Sequence, residues 1–448
     1  MTRRKAAGHK SHGRLERHKP SVPHEHGMRF RFREVVRSLG PGLITGASDD
    51  DPSGIGTYSQ AGAQLGYGIG WTMLLTFPLM AAVQEISARM GRVTGLGIAG
   101  NVGNHYAPIL LNTVVALLFM ANTINIAADL AAMADATRLL VGGSHAFPYV
   151  VVFGVISVAA QIFFDYRRYV AVLKWLTLSL FSYVGALAVV HISWSQALEG
   201  VLVPRIGWNA GYFTTIVAIL GTTISPYLFF WQASQEVEDQ RIDSRKHPLI
   251  ERHYGARREF FRIRADTIVG MAFSNLIALS IIVTAAATLH AAGKTDIETS
   301  AQAAEALRPI AGAFAEAIFA LGIVGTGLLA IPVLAGSAAG AVGEARRWPV
   351  GLARKPKEAV AFYAVLALSA GLGIAINVTP LDPISALYWS AVINGILAVP
   401  VMALLMMMAR RKEIMGRYAV SGALYWLGWI ATAFMLAGVI GMFAGFLL

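Results

Sequence analysis

Three consecutive aspartates, Asp49, Asp50 and Asp51, stand near the centre of an apolar segment, LGPGLITGASDDDPSGIGTYSQAGAQLGY, at positions 39–67. A carboxylate in such a setting pairs with a base, meets water or holds a cation. At a rise of about 1.5 Å per residue, Asp51 lies roughly 18 Å along the segment, close to the midplane of a bilayer core about 30 Å thick. Pro52, Ser53, Gly54, Ile55 and Gly56 follow, and such a run hardly continues a regular helix. Acidic groups on a broken helix at mid-membrane suit the cation site of a transporter. The plainer role for Asp51 is an N-cap for the next half-helix. Asp49 and Asp50 are neighbours and point in different directions around the axis, so one is expected to face a cavity and the other a buried partner.

A second polar break, Thr222-Thr223-Ile224-Ser225-Pro226-Tyr227, interrupts another apolar stretch. The Thr222 and Ser225 hydroxyls are candidate oxygen ligands, or they satisfy local carbonyls. Tyr227 either lines the site or only packs beside the break. Asn122, Asn125 and Asp129 form a polar stripe on one helix, readable as a water or proton path or as interhelical glue. Asn275 and Asn394 are further cavity candidates, and Glu316 is an acid without an evident partner. Gln232, Gln235, Glu236, Glu238 and Asp239 would form an acidic inner vestibule or merely a solvated helix end.

The elements that must position these groups are membrane spans. Of 448 residues, 55% are hydrophobic and 14% charged, well below the quarter or so charged in soluble domains. The expected class is an all-α polytopic membrane protein. Eleven spans can be drawn, at 38–66, 68–90, 109–138, 147–164, 170–191, 211–235, 266–291, 309–343, 358–378, 383–409 and 420–445. The first 30 residues lack an apolar core, so no secretory signal peptide is expected. The absence of cysteine excludes disulfides and thiolate metal sites.

The net charge of +11 is not read as nucleic-acid binding, because the Lys and Arg residues collect in alternate loops. The basic segments are the N-terminal tail, 165–168 with Lys174, 236–265, 344–358 and 410–417. The opposite loops carry few basic residues. That asymmetry places the N-terminus in the cytoplasm and the C-terminus outside, in a cell (inner) membrane. The tail, 1–34, also carries His9, His12, His18, His24 and His26. It reads as a flexible segment facing anionic lipid or as one that collects metal.

The broken spans 1 and 6 are five apart. An odd offset inverts one unit relative to the other, giving a five-plus-five inverted repeat with an eleventh helix outside it. The expected units are 35–191, 192–409 and the final helix in 410–448. The two breaks should be unwound near 51–54 and 222–226 and should meet at mid-membrane.

The chain resembles the natural resistance-associated macrophage protein (Nramp) transporters. The resemblance rests on Gly40-Pro41-Gly42, Asp51-Pro52-Ser53-Gly54, Gln60 to Tyr67, Gln84 with Arg89 to Gly95, and Ala128-Asp129-Leu130-Ala131. It implies a LeuT-like fold and transport of manganese, iron or related divalent ions, usually with protons. This chain departs from the family pattern in its ligand set. Gly54 stands for the Asn of the first motif, Ser225 for the metal-binding Met of helix 6, Tyr227 for its His, and Ala132 for the acid three residues after Asp129. Thr222 falls where the family offers a backbone carbonyl.

These replacements resemble the divergent Nramp-related magnesium transporters. A thioether favours softer transition metals, whereas Mg2+ keeps waters and wants an oxygen-lined acidic space. The expected substrate is Mg2+, or Mn2+, held at Asp51, Gly54, Thr222 and Ser225, with weak or absent proton coupling. The alternative is a LeuT-like carrier of a small organic solute that has lost metal binding. No nucleophile–base pair, phosphate loop or HExxH is present, so neither an enzyme nor a resident cofactor is expected. One inverted pair of breaks argues for a carrier over a channel. The partners expected are the cation and the bilayer, with the protein a monomer.

Overall fold

The computed structural model describes residues 45–46, 48–163, 176–242, 247–251, 255–379 and 382–447. The basic tail, Gly40-Pro41-Gly42, and 165–168 with Lys174 lie outside the described residues. All the described secondary structure is helical, and each of the eleven predicted spans overlaps at least one described helix.

The chain runs α1 (Pro52–Leu65), α2 (Trp71–Thr94), α3 (Ile98–His105), α4 (Pro108–Val141) and α5 (Phe147–Phe163). After the undescribed stretch come α6 (Phe181–Val189), α7 (Trp194–Leu202), α8 (Ala210–Thr223), α9 (Pro226–Ile242) and α10 (Ala256–Ala285). A π-helical turn, Ala286–His290, ends α10. Then follow α11 (Ser300–Ala304), α12 (Ala315–Ala345), α13 (Val360–Ile376), α14 (Pro383–Arg410) and α15 (Ala423–Leu447). Among the described residues, six helical stretches are long and apolar enough to cross a membrane, and α1 with α2 forms a further pair bent by 111°. Three shorter apolar helices, Phe147–Phe163, Leu178–Val189 and Val360–Ile376, fall within predicted spans 4, 5 and 9.

Local chemistry sets the boundaries. Span 8 begins at Ala315 and not at 309, because Gly312 (φ 52°) ends the short helix Arg308–Ala311. Glu316 therefore sits in the first turn of α12, half-buried, where an acid complements the helix dipole. Span 7 starts ten residues early, at Ala256. Arg262 and Glu259 pair on this extension at 3.4 Å, and Arg262 also reaches Glu236 on α9 at 2.5 Å. These pairs let the helix emerge from the apolar layer without losing structure.

Small residues set the packing. A Cβ on Gly221 of α8 would lie 1.9 Å from the Ala391 carbonyl oxygen of α14, and one on Gly395 would lie 2.5 Å from that of Val217. A Cβ on Gly91 of α2 would lie 2.2 Å from the Ala233 carbonyl oxygen of α9. These helices thus touch backbone to backbone, as apolar spans do when small residues face each other. On the other side, α4 packs along α12, α13 and α14. The polar groups at the centre lie inside this double layer.

Candidate functional site

Both predicted breaks are present and narrower than expected. The first is confined to Asp50 and Asp51, and the second to Ile224 and Ser225. In each case a proline, Pro52 or Pro226, opens the next half-helix. Proline suits that position because the first helical N–H needs no partner and its φ is already helical. Ser53 and Gly54 are therefore the first turn of α1, and Thr222 is the last turn of α8.

Asp51 is extended (φ −69°, ψ 172°) and caps α1. Its Oδ1 accepts from the Gly54 N–H at 2.7 Å and from the Ser53 hydroxyl at 2.8 Å. Its Oδ2 accepts from Asn125 Nδ2 at 3.2 Å and from the Tyr227 hydroxyl at 3.1 Å. The cap and the site are therefore one group: Oδ1 serves the helix and Oδ2 faces the centre. Tyr227 also donates to the Ser48 carbonyl at 3.3 Å, so it joins the two breaks and does more than pack.

Asn125 is the hub of the polar stripe. Its Nδ2 also lies 3.4 Å from Asp129 Oδ2, and its Oδ1 accepts from Asn394 Nδ2 on α14 at 3.1 Å. Asp51, Asn125, Asp129 and Asn394 thus form a chain from α1 through α4 to α14, all fully buried. Asn122 does not join it. Its amide donates to the Leu334 carbonyl and to the Ser337 hydroxyl on α12, both at 2.8 Å, which ties α4 to α12, and its Oδ1 is buried without a partner.

Ser225 also turns away. Its hydroxyl donates to the Gly221 carbonyl and, at 3.1 Å, to the Thr222 carbonyl. Here the local-carbonyl alternative is the observed geometry, as expected for a hydroxyl at a helix end. The Thr222 hydroxyl is buried and makes no well-formed hydrogen bond. Gly54 leaves the space beside it: a Cβ there would lie 3.2 Å from Thr222 Oγ1.

Asp49 and Asp50 share one donor, Ser274 of α10. Its hydroxyl bonds Asp49 and lies 3.2 Å from Asp50 Oδ1. Both acids are buried, so the division into one cavity residue and one partnered residue does not appear. Asn275 is only half-buried, and its Oδ1 makes no hydrogen bond. Ser274, one residue earlier, is the side chain that faces the site. A step of one residue turns a helix face by about 100°, so the sequence signal for an amide pointed to the right turn and the wrong face. Tyr58, fully buried on α1, was also missed.

Among the described residues, no ion pair reaches Asp49, Asp50, Asp51 or Asp129, and no three His, Asp or Glu side chains are set together to hold a metal ion. The four carboxylates are at most 1% exposed. A cavity of about 830 Å3 opens at one end of the bundle, lined by Tyr67, His191, Glu199, Arg205 and His290. It stops at the C-terminal end of α1, about 20 Å of helix from Asp51.

A sequence profile described as natural resistance-associated macrophage protein-like matches residues 42–444. The chain is 26% identical over 413 residues to a divalent metal cation transporter MntH of Granulibacter bethesdensis, covering 89% of this chain and 86% of that protein. It is 29% identical over 310 residues to the protein of the same description from Ralstonia nicotianae, covering 66% of each. Its fold is similar to that of the manganese transporter of Eremococcus coleocola, solved with an aromatic bis-isothiourea compound. The TM-score is 0.69 at 16% identity, over 95% of this chain and 89% of that one. The all-α, LeuT-like architecture expected from the sequence is thus the architecture present.

Proposed function

The chain belongs to the natural resistance-associated macrophage protein-like family, and from that premise we propose that it is a secondary transporter moving a divalent cation by alternating access. The relatives described as divalent metal cation transporters support the substrate class. The observation that carries the reading is Asp51: a fully buried carboxylate at a helix break, with no base beside it, held by Asn125 and Tyr227 and next to a second buried carboxylate, Asp129. Such a pair lacks a counter-charge that a dication would supply.

Mg2+ is the preferred ion in this reading, with Mn2+ the next. Every candidate donor is oxygen: the Asp51 carboxylate and the Thr222 hydroxyl, with the Ser225 hydroxyl joining once it leaves the Gly221 and Thr222 carbonyls and the Gly54 carbonyl once the first turn of α1 opens. None of these four residues offers a thioether to favour softer metals. Proton coupling is weak or absent, because Tyr227 and Ala132 replace groups that titrate in the resembled pattern. The protein acts as a monomer in the inner membrane, N-terminus inside and C-terminus outside. Units 35–191 and 192–409 are the inverted halves.

One flux experiment tests the site and the selectivity. Proteoliposomes carrying equal amounts of wild type, Asp51→Ala or Ser225→Met are assayed with a Mg2+ reporter, in competition with Mn2+ and Cd2+. Asp51→Ala is expected to abolish uptake. Ser225→Met is expected to move preference toward Mn2+ or Cd2+ by tenfold or so, about 1.4 kcal/mol. Undiminished flux in Asp51→Ala would remove that residue from the mechanism. No saturable divalent flux in any of the three would reject the metal reading.

A further inference from the structure

The turn from α14 to α15 carries four basic residues, Arg410, Arg411, Lys412 and Arg417, against one acid, Glu413. All five are exposed. Among the described residues, none of them takes part in an ion pair. The turn is held in place, because the Val420 N–H donates to the Ala409 carbonyl at 2.8 Å and closes it against the end of α14. Its surplus positive charge is therefore kept at one point on the rim of the helix bundle.

Two of the arginines are fixed individually as well. The Arg410 guanidinium lies over the Tyr425 ring, 5.0 Å from its centre, and that of Arg411 over the Tyr106 ring at 4.7 Å. A solvated charge run leaves its side chains loose, whereas a guanidinium laid on an aromatic face is already ordered before it binds anything. The planar fork of N–H groups matches two oxygens of a phosphate, and in neither arginine does a carboxylate occupy it.

The surface beside this charge is apolar and bare. A Cβ on Gly428 of α15 would lie 2.4 Å from the Met406 sulfur of α14, so the two helices touch at this level. Met407, one turn before Arg410, is exposed, and so are Trp426 and Ile430 of α15. Only 28% of the apolar stretch of α15 is buried, the lowest share of the six long stretches. Tyr425 stands edge-on to Trp426 and Trp429, with ring centres 5.8 and 6.4 Å apart. Tyrosine and tryptophan belong at the headgroup level of a bilayer. Charge, aromatic ring and apolar wall thus follow one another across α14 and α15, in the order of phosphate, glycerol and acyl chain in a phospholipid.

We propose that Arg410, Arg411 and Lys412, with Tyr425 and Trp426, seat the headgroup of an anionic phospholipid whose acyl chains lie along Met407 and Ile430. The charge selects the lipid class. A choline headgroup brings its own cation, which three basic side chains repel, while a glycerol headgroup leaves the phosphate to them. The seat spans α14 and α15. Because α14 also carries Asn394, which donates to Asn125 of the central polar chain, a lipid there steadies one wall of that chain from outside the bundle. The inference does not depend on which ion is carried.

The test counts bound lipid by native mass spectrometry. The full chain, delipidated in detergent, is titrated with phosphatidylglycerol or phosphatidylcholine. Wild type is compared with Arg410→Gln/Arg411→Gln and with Arg346→Gln/Arg347→Gln. The second pair is exposed at the end of α12, on the same predicted face, and neither of its arginines lies over a ring. The expected result is one phosphatidylglycerol retained by wild type and by the α12 variant, with affinity at least tenfold lower in Arg410→Gln/Arg411→Gln. Phosphatidylcholine should not be retained, and excess inorganic phosphate should not displace the lipid, since the chains are bound too. Equal losses in the two double variants would reduce the seat to diffuse attraction and overturn it. Displacement by inorganic phosphate would make it a free-phosphate site, and a lipid-free dimer would give α15 to a second copy; either also overturns it. Should Arg410→Gln/Arg411→Gln fail to fold, Tyr425→Leu keeps every charge and decides: lipid affinity about threefold lower is expected, and wild-type affinity would overturn the seat.

Discussion

Asn125 is the side chain on which the central geometry depends. One amide group serves two carboxylates and accepts from a third element, so its loss leaves Asp51 Oδ2, Asp129 Oδ2 and Asn394 Nδ2 each one partner short. An unmet buried polar group costs about 1–3 kcal/mol. Asn125→Leu is therefore expected to lower divalent-ion affinity by at least tenfold, read by calorimetric titration of the purified protein, while Asn122→Leu leaves it near wild type. Equal losses in the two variants would mean that the stripe acts through packing alone. The contrast also shows what a sequence can convey at this scale. Asp51 was legible because three acids beside a proline in an apolar run have few other uses. Asn122 and Asn125 were indistinguishable because residues three apart share a helix face to within about 60°, and only the arrival of α12 on one edge of that face separates them. Ser274 and Tyr58 were not legible, since a serine and a tyrosine in a membrane helix carry no signal until an acid is placed opposite.

The breaks are features of elements, and their position follows from proline and not from glycine. Span 1 resumes at Pro52, the start of α1, and span 6 at Pro226, the start of α9, so the unwound part is the two residues before each proline. The sequence placed both interruptions correctly to within a few residues but overestimated their length, because Ser53, Gly54 and Thr222 looked like loop residues and are helical once capped. The same small residues that resemble breakers also set the interfaces. Gly221 stands one residue before Thr222 and presses its backbone on Ala391 and Gly395 of α14. Gly221→Val would force α8 away from α14 or strain both, and overpacking costs about 1–3 kcal/mol. The expected outcome is a lower Tm in detergent by several degrees, with Thr222 displaced and cation affinity reduced. A Tm and affinity equal to those of the wild type would show that α8 and α14 part easily, and would remove the close approach as a determinant of the site.

At the scale of the whole molecule, the central carboxylates are buried to within 1%, so carriage of an ion requires movement of whole elements. The fastenings on one face are visible. Gln60 on α1 accepts from the Ile297 N–H at 2.9 Å and donates to the Thr295 carbonyl at 3.1 Å. His290 Nδ1, at the end of the π-helical turn, lies 2.8 Å from the Ala63 carbonyl oxygen. Together these hold the segment after α10 across the end of α1, between the open cavity and the buried site. On the opposite face in the proposed orientation, Arg241 donates to the Val350 carbonyl at 2.9 Å, and Glu238 accepts from the Ala353 N–H. These contacts join α9 to the loop after α12. A carrier that alternates must release one set while keeping the other. The chain contains no cysteine, so introduced thiols report without background. In the variant Gln60→Cys/Ile297→Cys, a short bifunctional thiol reagent is expected to stop divalent uptake into proteoliposomes, while each single variant keeps transport after the same treatment. The cross-linked protein should still bind ions loaded before the reagent is added, since the clamp lies about 14 Å of helix from Asp51. Uptake that continues at the wild-type rate in the cross-linked pair would place the entry path elsewhere and make the Gln60 contacts a fixed part of the scaffold.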